Sequence, residues 1–269
     1  AEAIYSTLLD READWRSKDP AGAASVFFQM ETMALELLAP SGSGPVARRL
    51  HTLLDQEGPR LESMVFGTKS ISDAHRLFAR RGLKPDEIQP GESIDPARGA
   101  ARSWSRFRLS DESTNGVKLF VLQRQPNDPL AYKPAGNASV ATLDHVVINT
   151  ASPDRALALY GARLGLNLAL DRSNADWDAR LMFFRTGGLT VELAHRLSKG
   201  ESAAPDKLWG MSWRVPDIEA AHQRLKAAGL QVSDTRTGRR PGSRVFTLKS
   251  GTLDVPTLIL ASEPANRAK

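Results

Sequence analysis

The feature that most constrains this chain is an internal repeat. Residues 71–83 read ISDAHRLFARRGL and residues 218–230 read IEAAHQRLKAAGL, so that His75 and His222 match 147 positions apart. Self-similarity at a long, nearly constant offset indicates that one supersecondary unit has been duplicated. The two halves of the chain are therefore expected to share a fold.

A second match supports the duplication. Residues 33–38 (MALELL) correspond to residues 189–194 (LTVELA), which places Glu36 on Glu192 at an offset of 156. Between the halves, residues 124–141 (RQPNDPLAYKPAGNASVA) contain three prolines, which oppose a long helix or a central strand. We predict an N-terminal domain at 1–123, a Pro-rich linker at 124–141 and a C-terminal domain at 142–263.

Each half divides again into a unit of one strand, one helix and three strands. Residues 143–149 (LDHVVIN) are dense in β-branched side chains, as expected of a strand buried on both faces, and a Pro-Asp pair and an amphipathic helix follow. The same order follows residues 211–215 (MSWRV). Strands at 180–186 and 189–195 flank a Gly-Gly turn, which predicts a hairpin. We predict an α+β fold of four such βαβββ units.

Composition excludes several classes of protein. The absence of cysteine excludes disulfide scaffolds, zinc ribbons, iron–sulfur clusters and cysteine nucleophiles. Lys plus Arg is 36 and Asp plus Glu is 31, for a formal charge of +5, but the basic residues are dispersed, so we expect no nucleic-acid partner. No apolar run approaches the roughly 20 residues that span a bilayer. We expect no membrane partner and a cytoplasmic location.

The order of elements, with a His in the first strand of LDHVVI, resembles the vicinal oxygen chelate superfamily. This superfamily includes glyoxalase I, the extradiol dioxygenases and the bleomycin-resistance proteins. The resemblance covers almost the whole chain and is strongest over residues 143–166 and 187–195. It implies that the four units pair into two cupped-sheet domains. It does not select one activity, because one scaffold hosts many chemistries.

The first unit departs from the superfamily pattern. Ala1 already aligns inside the helix of this unit, so its opening strand has no counterpart in the sequence. Two explanations stay open: the chain is truncated before residue 1, or the first domain lacks an edge strand.

The resemblance also implies candidate metal ligands. Superfamily enzymes hold a divalent metal with residues from the first and last strands of paired units, and His145 and Glu192 take these positions in the third unit. The fourth unit offers Met211 and Ile259, which are not ligands for a hard ion, and the first offers only Glu36. We therefore expect no complete glyoxalase I site.

Three interpretations of His145 and Glu192 stay open. They hold a divalent Mn, Fe, Zn or Mg ion weakly with water, they form an ion pair in a metal-free cavity, or His145 is a general base that Glu192 orients. His195 lies three residues beyond Glu192, so strand alternation puts it on the opposite face, where we expect a surface position or a sheet end. His75 and His222 are expected to be structural.

Strand alternation also predicts an aromatic and largely apolar pocket wall. Such a lining suits an aromatic or acyl small molecule. The predicted substrate-binding residues are Trp209, Met211, Trp213, Asn149, Thr190 and Glu36. Residues 238–244 (GRRPGSR) are either an anion-binding rim or a simple basic turn.

Two classes of function follow from the resemblance. The first is a glyoxalase-like or dioxygenase-like enzyme that acts on a small organic molecule in the C-terminal cup, as a lyase, isomerase or dioxygenase. The alternative is a metal-free binding or sequestration protein of the bleomycin-resistance type. Either class is compatible with a monomer or a homodimer.

Overall fold

The computed structural model describes residues 1–126, 128–134 and 136–262, so the predicted boundary at residue 263 lies outside the described residues. The architecture is α+β, as predicted. The first half contains α1 (Glu2–Leu9), β1 (Trp15–Asp19), β2 (Ala23–Gln29), β3 (Ala34–Pro40), α2 (Pro45–Glu57), β4 (Ser63–Gly67), α3 (Ile71–Arg80), β5 (Gln89–Asp95), β6 (Ala100–Arg108) and β7 (Lys118–Arg124).

The second half repeats the order of strand, helix and three strands twice. It contains β8 (Thr142–Asn149), α4 (Pro153–Leu157) continued by a π-helical segment (Ala158–Arg163), β9 (Asn167–Asn174), β10 (Ala179–Thr186), β11 (Leu189–Arg196), a 3-10 turn (Leu197–Lys199), β12 (Lys207–Arg214), α5 (Ile218–Ala227), β13 (Arg236–Thr237), β14 (Ser243–Leu248) and β15 (Thr257–Ser262).

The two halves differ in sheet topology. The second half forms one sheet of eight strands in the order β13-β14-β15-β12-β8-β11-β10-β9, with β8 and β12 antiparallel neighbours near its centre. The first half forms two sheets, β1-β2-β3 and β4-β7-β6-β5. Strands β3 and β4 are each at an edge of their sheet.

Local sequence signals act as expected in the hairpin of the third unit. Strands β10 and β11 pair in antiparallel register up to Thr186 and Leu189. Gly187 and Gly188 have φ angles of 53° and 85°, and two successive positive φ angles are what a tight hairpin turn between twisted strands needs.

The duplication is visible in the contacts of two histidines. In both, Nε2 lies 3.0 Å from a backbone carbonyl oxygen eleven residues further along the chain. The ring of His75 meets Phe107 edge-on at 5.1 Å and 85°, and the ring of His222 meets Phe246 at 5.1 Å and 84°. Both histidines tie a helix to the sheet beneath it, which is the structural role predicted for them.

Two hydrophobic cores join the halves of the chain. One core packs the first unit against the fourth, and the other packs the second unit against the third. Representative members of the first core are Tyr5, Leu8, Phe28, Trp213, Leu225 and Phe246. Representative members of the second core are Phe107, Leu119, Ile148, Tyr160, Phe184 and Leu193. The cores therefore cross the predicted domain boundary.

Two arginines at helix ends add hydrogen bonds between the two halves of the chain. Arg224 of α5 donates to the carbonyl oxygens of Thr7 and Leu8 at 2.6 and 2.9 Å, in the last turn of α1. Arg163 donates to the carbonyl oxygen of Arg81, just after α3, at 3.1 Å, and also to that of Gly82. A cation at a helix C-terminus satisfies free carbonyl groups and complements the helix dipole.

No helix in the described part of the chain combines the length and the apolar character needed to cross a membrane.

Candidate functional site

The candidate site lies on the face of the eight-stranded sheet that points away from α4 and α5, which we call the cup face. Nε2 of His145 on β8 lies 3.1 Å from Oε2 of Glu192 on β11, the parallel neighbour of β8. Val191 and Leu193, on either side of Glu192, are buried in the core behind the sheet, so Glu192 points to the cup face. The predicted proximity is present, while the roles of the two residues stay predictions.

A β-bulge brings a third group to the site. Ser212 on β12 opposes His145, whereas the next residue, Trp213, opposes Leu143, so Asp144 is an extra residue on β8. Bulges commonly re-aim a side chain beside a functional site. Asp144 could not be predicted from the sequence, because strict alternation places it on the other face of the sheet from His145.

Asp144 orients the ring of His145. Its Oδ2 lies 2.8 Å from Nδ1 of His145, and its Oδ1 accepts from Arg214. Burial opposes ionisation of Asp144, but the hydrogen bonds from His145 and Arg214 outweigh it and lower its pKa to about 2. An ionised carboxylate can only accept, so Nδ1 carries the hydrogen and Nε2 faces Glu192.

Glu192 sits in the opposite electrostatic environment. It is 9% exposed, and this burial raises its pKa. The positive charges of His145 and Arg239 lower the pKa, but by less than burial raises it. Beside it, Phe183 presents its ring to that of His145 at 6.5 Å and 85°. A carboxyl with a raised pKa next to Nε2 allows one proton to be held between the two groups.

Two predicted pocket residues lie in the core instead. Met211 and Trp213 are 4% and 0% exposed and pack with Ala221 and Leu225 of α5, behind the sheet. The strand register is the reason, because Ser212, between them, is the residue opposite His145, and Met211 opposes Val146. The interpretation of Met211 and Trp213 as substrate-binding residues is therefore corrected.

Ile259, which the resemblance places at the Glu position of the fourth unit, also lies behind the sheet. Ile259 is fully buried in that core, where it opposes Trp213 on β12. The residues of β15 that share the cup face are Leu258, which opposes Ser212, and Leu260. The fourth unit thus offers the cup face a hydroxyl and apolar side chains.

Of the remaining predicted site residues, Thr190 lies beside His145 and the others are further away. Thr190 opposes His145 in the pairing of β8 with β11, and Asn149 is exposed at the end of β8. Trp209 is an extra residue at a second bulge, on β12, and is 50% exposed. Glu36 lies in a different sheet, on β3, where Ser25 donates to its Oε1 at 2.8 Å.

His195 lies on the face opposite Glu192 and near the end of β11, which agrees with the sheet-end alternative, whereas the surface alternative is wrong. It is 5% exposed, and its Nδ1 lies 3.1 Å from the carbonyl oxygen of Thr150. The reason is that β11 is an inner strand whose rear face is covered by α4.

The donor set does not fit a catalytic metal in this arrangement. Three or more protein ligands are the norm for such an ion. Among the described residues, no group of three or more His, Asp, Glu or Cys side chains converges on a point where an ion would be held. Both ring nitrogens of His145 already face carboxylates, from Asp144 and Glu192.

Two surface cavities lie away from these residues. One, of about 290 Å³, is lined in part by Asp10, Arg11 and Lys133. The other, of about 300 Å³, is lined in part by His222, Lys226 and Lys249. Neither includes His145 or Glu192, so neither belongs to the candidate site.

Strand–helix–three-strand units, paired into a sheet with a His–Glu pair on its open face, define a protein of the vicinal oxygen chelate type. The family described as "Glyoxalase-like domain" matches residues 21–164, which is more than half of the chain. The "Glyoxalase/Bleomycin resistance protein/Dioxygenase superfamily" matches residues 144–247. The chain belongs to the glyoxalase-like family of the vicinal oxygen chelate superfamily, which confirms the predicted resemblance. No curated protein matches the chain.

Solved structures with a similar fold align with about half of the chain. Methylmalonyl-CoA epimerase from Mycobacterium tuberculosis is 23% identical with a TM-score of 0.42, covering 49% of this chain and 94% of its own. A hypothetical protein from Bacillus halodurans is 22% identical with a TM-score of 0.40, covering 45% and 94%. Streptomyces coelicolor methylmalonyl-CoA epimerase in complex with 2-nitronate-propionyl-CoA is 18% identical with a TM-score of 0.40, covering 47% and 100%.

Proposed function

We propose that this protein moves a proton on a small acyl or aromatic molecule bound at the cup face, with His145 as the general base. The observation that carries the proposal is the contact chain from Arg214 through Asp144 and His145 to Glu192. A histidine held by an ionised carboxylate on one nitrogen, with a second carboxyl of raised pKa beside the other, has the geometry of general acid–base catalysis.

The two carboxyl groups have different tasks in this proposal. Asp144 stays ionised, accepts the Nδ1 hydrogen and stabilises the imidazolium that forms when Nε2 takes a proton from the substrate. Glu192 has a raised pKa through burial, so it can hold a proton and donate it to a substrate oxygen. Acid and base assignments commonly follow from neighbouring groups whose environments drive their pKa values apart.

Because the side chains present do not fit a metal, no step of the proposed reaction passes through one. Of the three reaction types considered, this leaves proton transfer, as in an isomerase or a lyase. The nearby Phe183 and Leu258 supply apolar surface for the body of the substrate.

The test is solvent-exchange spectroscopy on chelator-treated protein. A panel of acyl and aryl carbon acids is incubated in D₂O, and deuterium incorporation is followed by NMR. We expect incorporation by the native chain, a loss of about a hundredfold or more in His145→Ala, and no change in His51→Ala, an exposed control. Exchange that survives His145→Ala, or that requires an added divalent ion, contradicts the proposal.

A second candidate function is metal-free sequestration of a small molecule. The observation that favours it is that Glu192 already occupies the Nε2 side of His145, at 3.1 Å. A sequestering protein shows thermal stabilisation by compounds of the panel with no deuterium incorporation and no product. The same two measurements therefore separate the two functions.

A further inference from the structure

Two arginines meet one tryptophan at the rim of the cup face. Trp177 lies in the turn between β9 and β10, and the Cζ atoms of Arg172 and Arg239 lie 5.3 and 4.7 Å from its ring centroid. Arg239 comes from the loop between β13 and β14, at the other end of the eight-stranded sheet. The two ends of the sheet therefore approach one another through this contact.

Arg172 lies on the face of the sheet that holds His145, and Arg239 contacts the same tryptophan ring as Arg172. In the strand register, Arg172 opposes Leu181, and Leu181 opposes Ala194, which lies two residues from Glu192 on β11. Residues two apart on a strand share a face. The positive charge of Arg239 lowers the pKa of Glu192, whereas burial raises it.

The loop that carries Arg239 has a defined backbone. Gly238 N donates to Ser243 O at 2.8 Å, and Ser243 N donates to Arg240 O at 3.1 Å. A Cβ atom at Gly238 would lie 2.3 Å from Oγ of Ser243, so the turn is packed too closely there for a larger residue. Arg239 is therefore held at the tip of a tight turn.

These two cations differ from the other arginines near the third unit. Arg180, for example, bonds to Asp171 and Asp154. Within the described part of the chain, neither Arg172 nor Arg239 has a carboxylate partner, and their contact in common is the ring of Trp177. Stacking on an aromatic ring leaves the in-plane N–H groups of a guanidinium free to donate to an oxyanion.

We propose that Arg172 and Arg239 bind an oxyanion, a carboxylate or a phosphate, on a small molecule whose apolar body lies against Phe183. This inference rests on the proposed function for the position of the reacting atom, which lies beside His145. It narrows the substrate class to anionic aromatic or acyl compounds and makes the two arginines determinants of specificity. It also assigns the basic segment 238–244 to the rim of the site rather than to a simple surface turn.

The experiment compares three probes of similar shape. Dissociation constants for benzoate, phenyl phosphate and the neutral benzamide are measured by titration calorimetry at low ionic strength. We expect the native protein to bind at least one of the two anions and to bind benzamide about tenfold more weakly or worse, because charge-assisted bonds are the stronger ones. The preferred anion distinguishes a carboxylate ligand from a phosphate ligand.

Variants connect the affinity to the two side chains. We expect Arg239→Gln and Arg172→Gln each to weaken anion binding about tenfold, and Arg239→Lys to weaken it less because the charge remains. Arg240→Gln removes the same charge from the neighbouring exposed position and should change affinity less than about twofold. Melting temperatures of all variants show whether the fold is retained.

The outcomes separate this inference from the proposed function. Equal affinity for benzamide and the anions, or equal losses in Arg239→Gln and Arg240→Gln, overturns the oxyanion site. Arginine-dependent anion binding that persists in His145→Ala supports the oxyanion site, whatever the exchange experiment shows. Anion binding that depends on neither arginine, together with deuterium exchange that depends on His145, leaves the proposed function intact and refutes the oxyanion site.

Discussion

Replacing Asp144 by Asn tests the electrostatic reasoning about the site. The pKa of Asp144 falls from an ordinary value of 3.8 to about 2, and its side chain is only 18% exposed, so solvent screens this shift weakly. One pKa unit corresponds to about 1.4 kcal/mol, so the ionised form stabilises the fold by roughly 2 kcal/mol. Asp144→Asn should lower the free energy of unfolding at neutral pH by about that amount.

The pH dependence follows from the direction of the shift. A carboxyl with a depressed pKa in the folded state stabilises the protein at pH values above its unfolded pKa, and this contribution disappears as the pH falls through the folded value. The stability difference between the native chain and Asp144→Asn should therefore be constant above about pH 5 and shrink between pH 4 and pH 2.

The assay is urea unfolding followed by circular dichroism at a series of pH values. Asp171→Asn is the matched control, because Asp171 pairs with Arg180 at a more exposed position and should contribute less than about 1 kcal/mol. A stability loss for Asp144→Asn that is as large at pH 2.5 as at pH 7 would refute the reasoning. So would a loss no greater than that of the control.

Two further predictions concern the packing of the core and the hydrogen bonds that join the two halves of the chain. Trp213→Ala should lower the free energy of unfolding, measured by urea titration, by about 3–5 kcal/mol because the ring is fully buried. Trp209→Ala, at the half-exposed bulge, should lower it by less than about 1 kcal/mol. Equal losses would place Trp213 outside the core. Arg163→Met should lower the free energy of unfolding by about 2 kcal/mol, because the carbonyl oxygens of Arg81 and Gly82, just after α3, lose their hydrogen-bond donor. The exposed Arg196→Met is its control, and equal effects of the two would refute the helix-end role.

Local features of this fold are readable from the sequence because each depends on neighbouring residues. The hairpin turn follows from Gly187 and Gly188, which alone supply two positive φ angles at little steric cost. The matching contacts of His75 and His222 follow from duplicated helices with the same periodicity. The proximity of His145 and Glu192 was accessible through the resemblance, which placed them on strands expected to face each other across the cup. In the structure they lie on the neighbouring strands β8 and β11.

The wrong face assignments on β8 and β12 have their cause in strand register. Alternation predicts which face a side chain takes only while the strand register is unbroken. The register of β12 sets Ser212 opposite His145 and Met211 opposite Val146, so Met211 and Trp213 face the core. The extra residue at Asp144 sends Leu143 to the same core and leaves Asp144 beside His145. A bulge depends on how two distant strands align, and no local pattern in LDHVVIN marks it.

The sequence by itself determined the family, the order of elements and the strands that carry His145 and Glu192. Only the tertiary structure decided that the cores join the first unit to the fourth and the second to the third. It alone also brought Arg239 to Trp177 across the sheet. The physical reason is that a short-range pattern specifies which face of an element is apolar, whereas the partner that covers this face is chosen by packing among segments far apart in the chain.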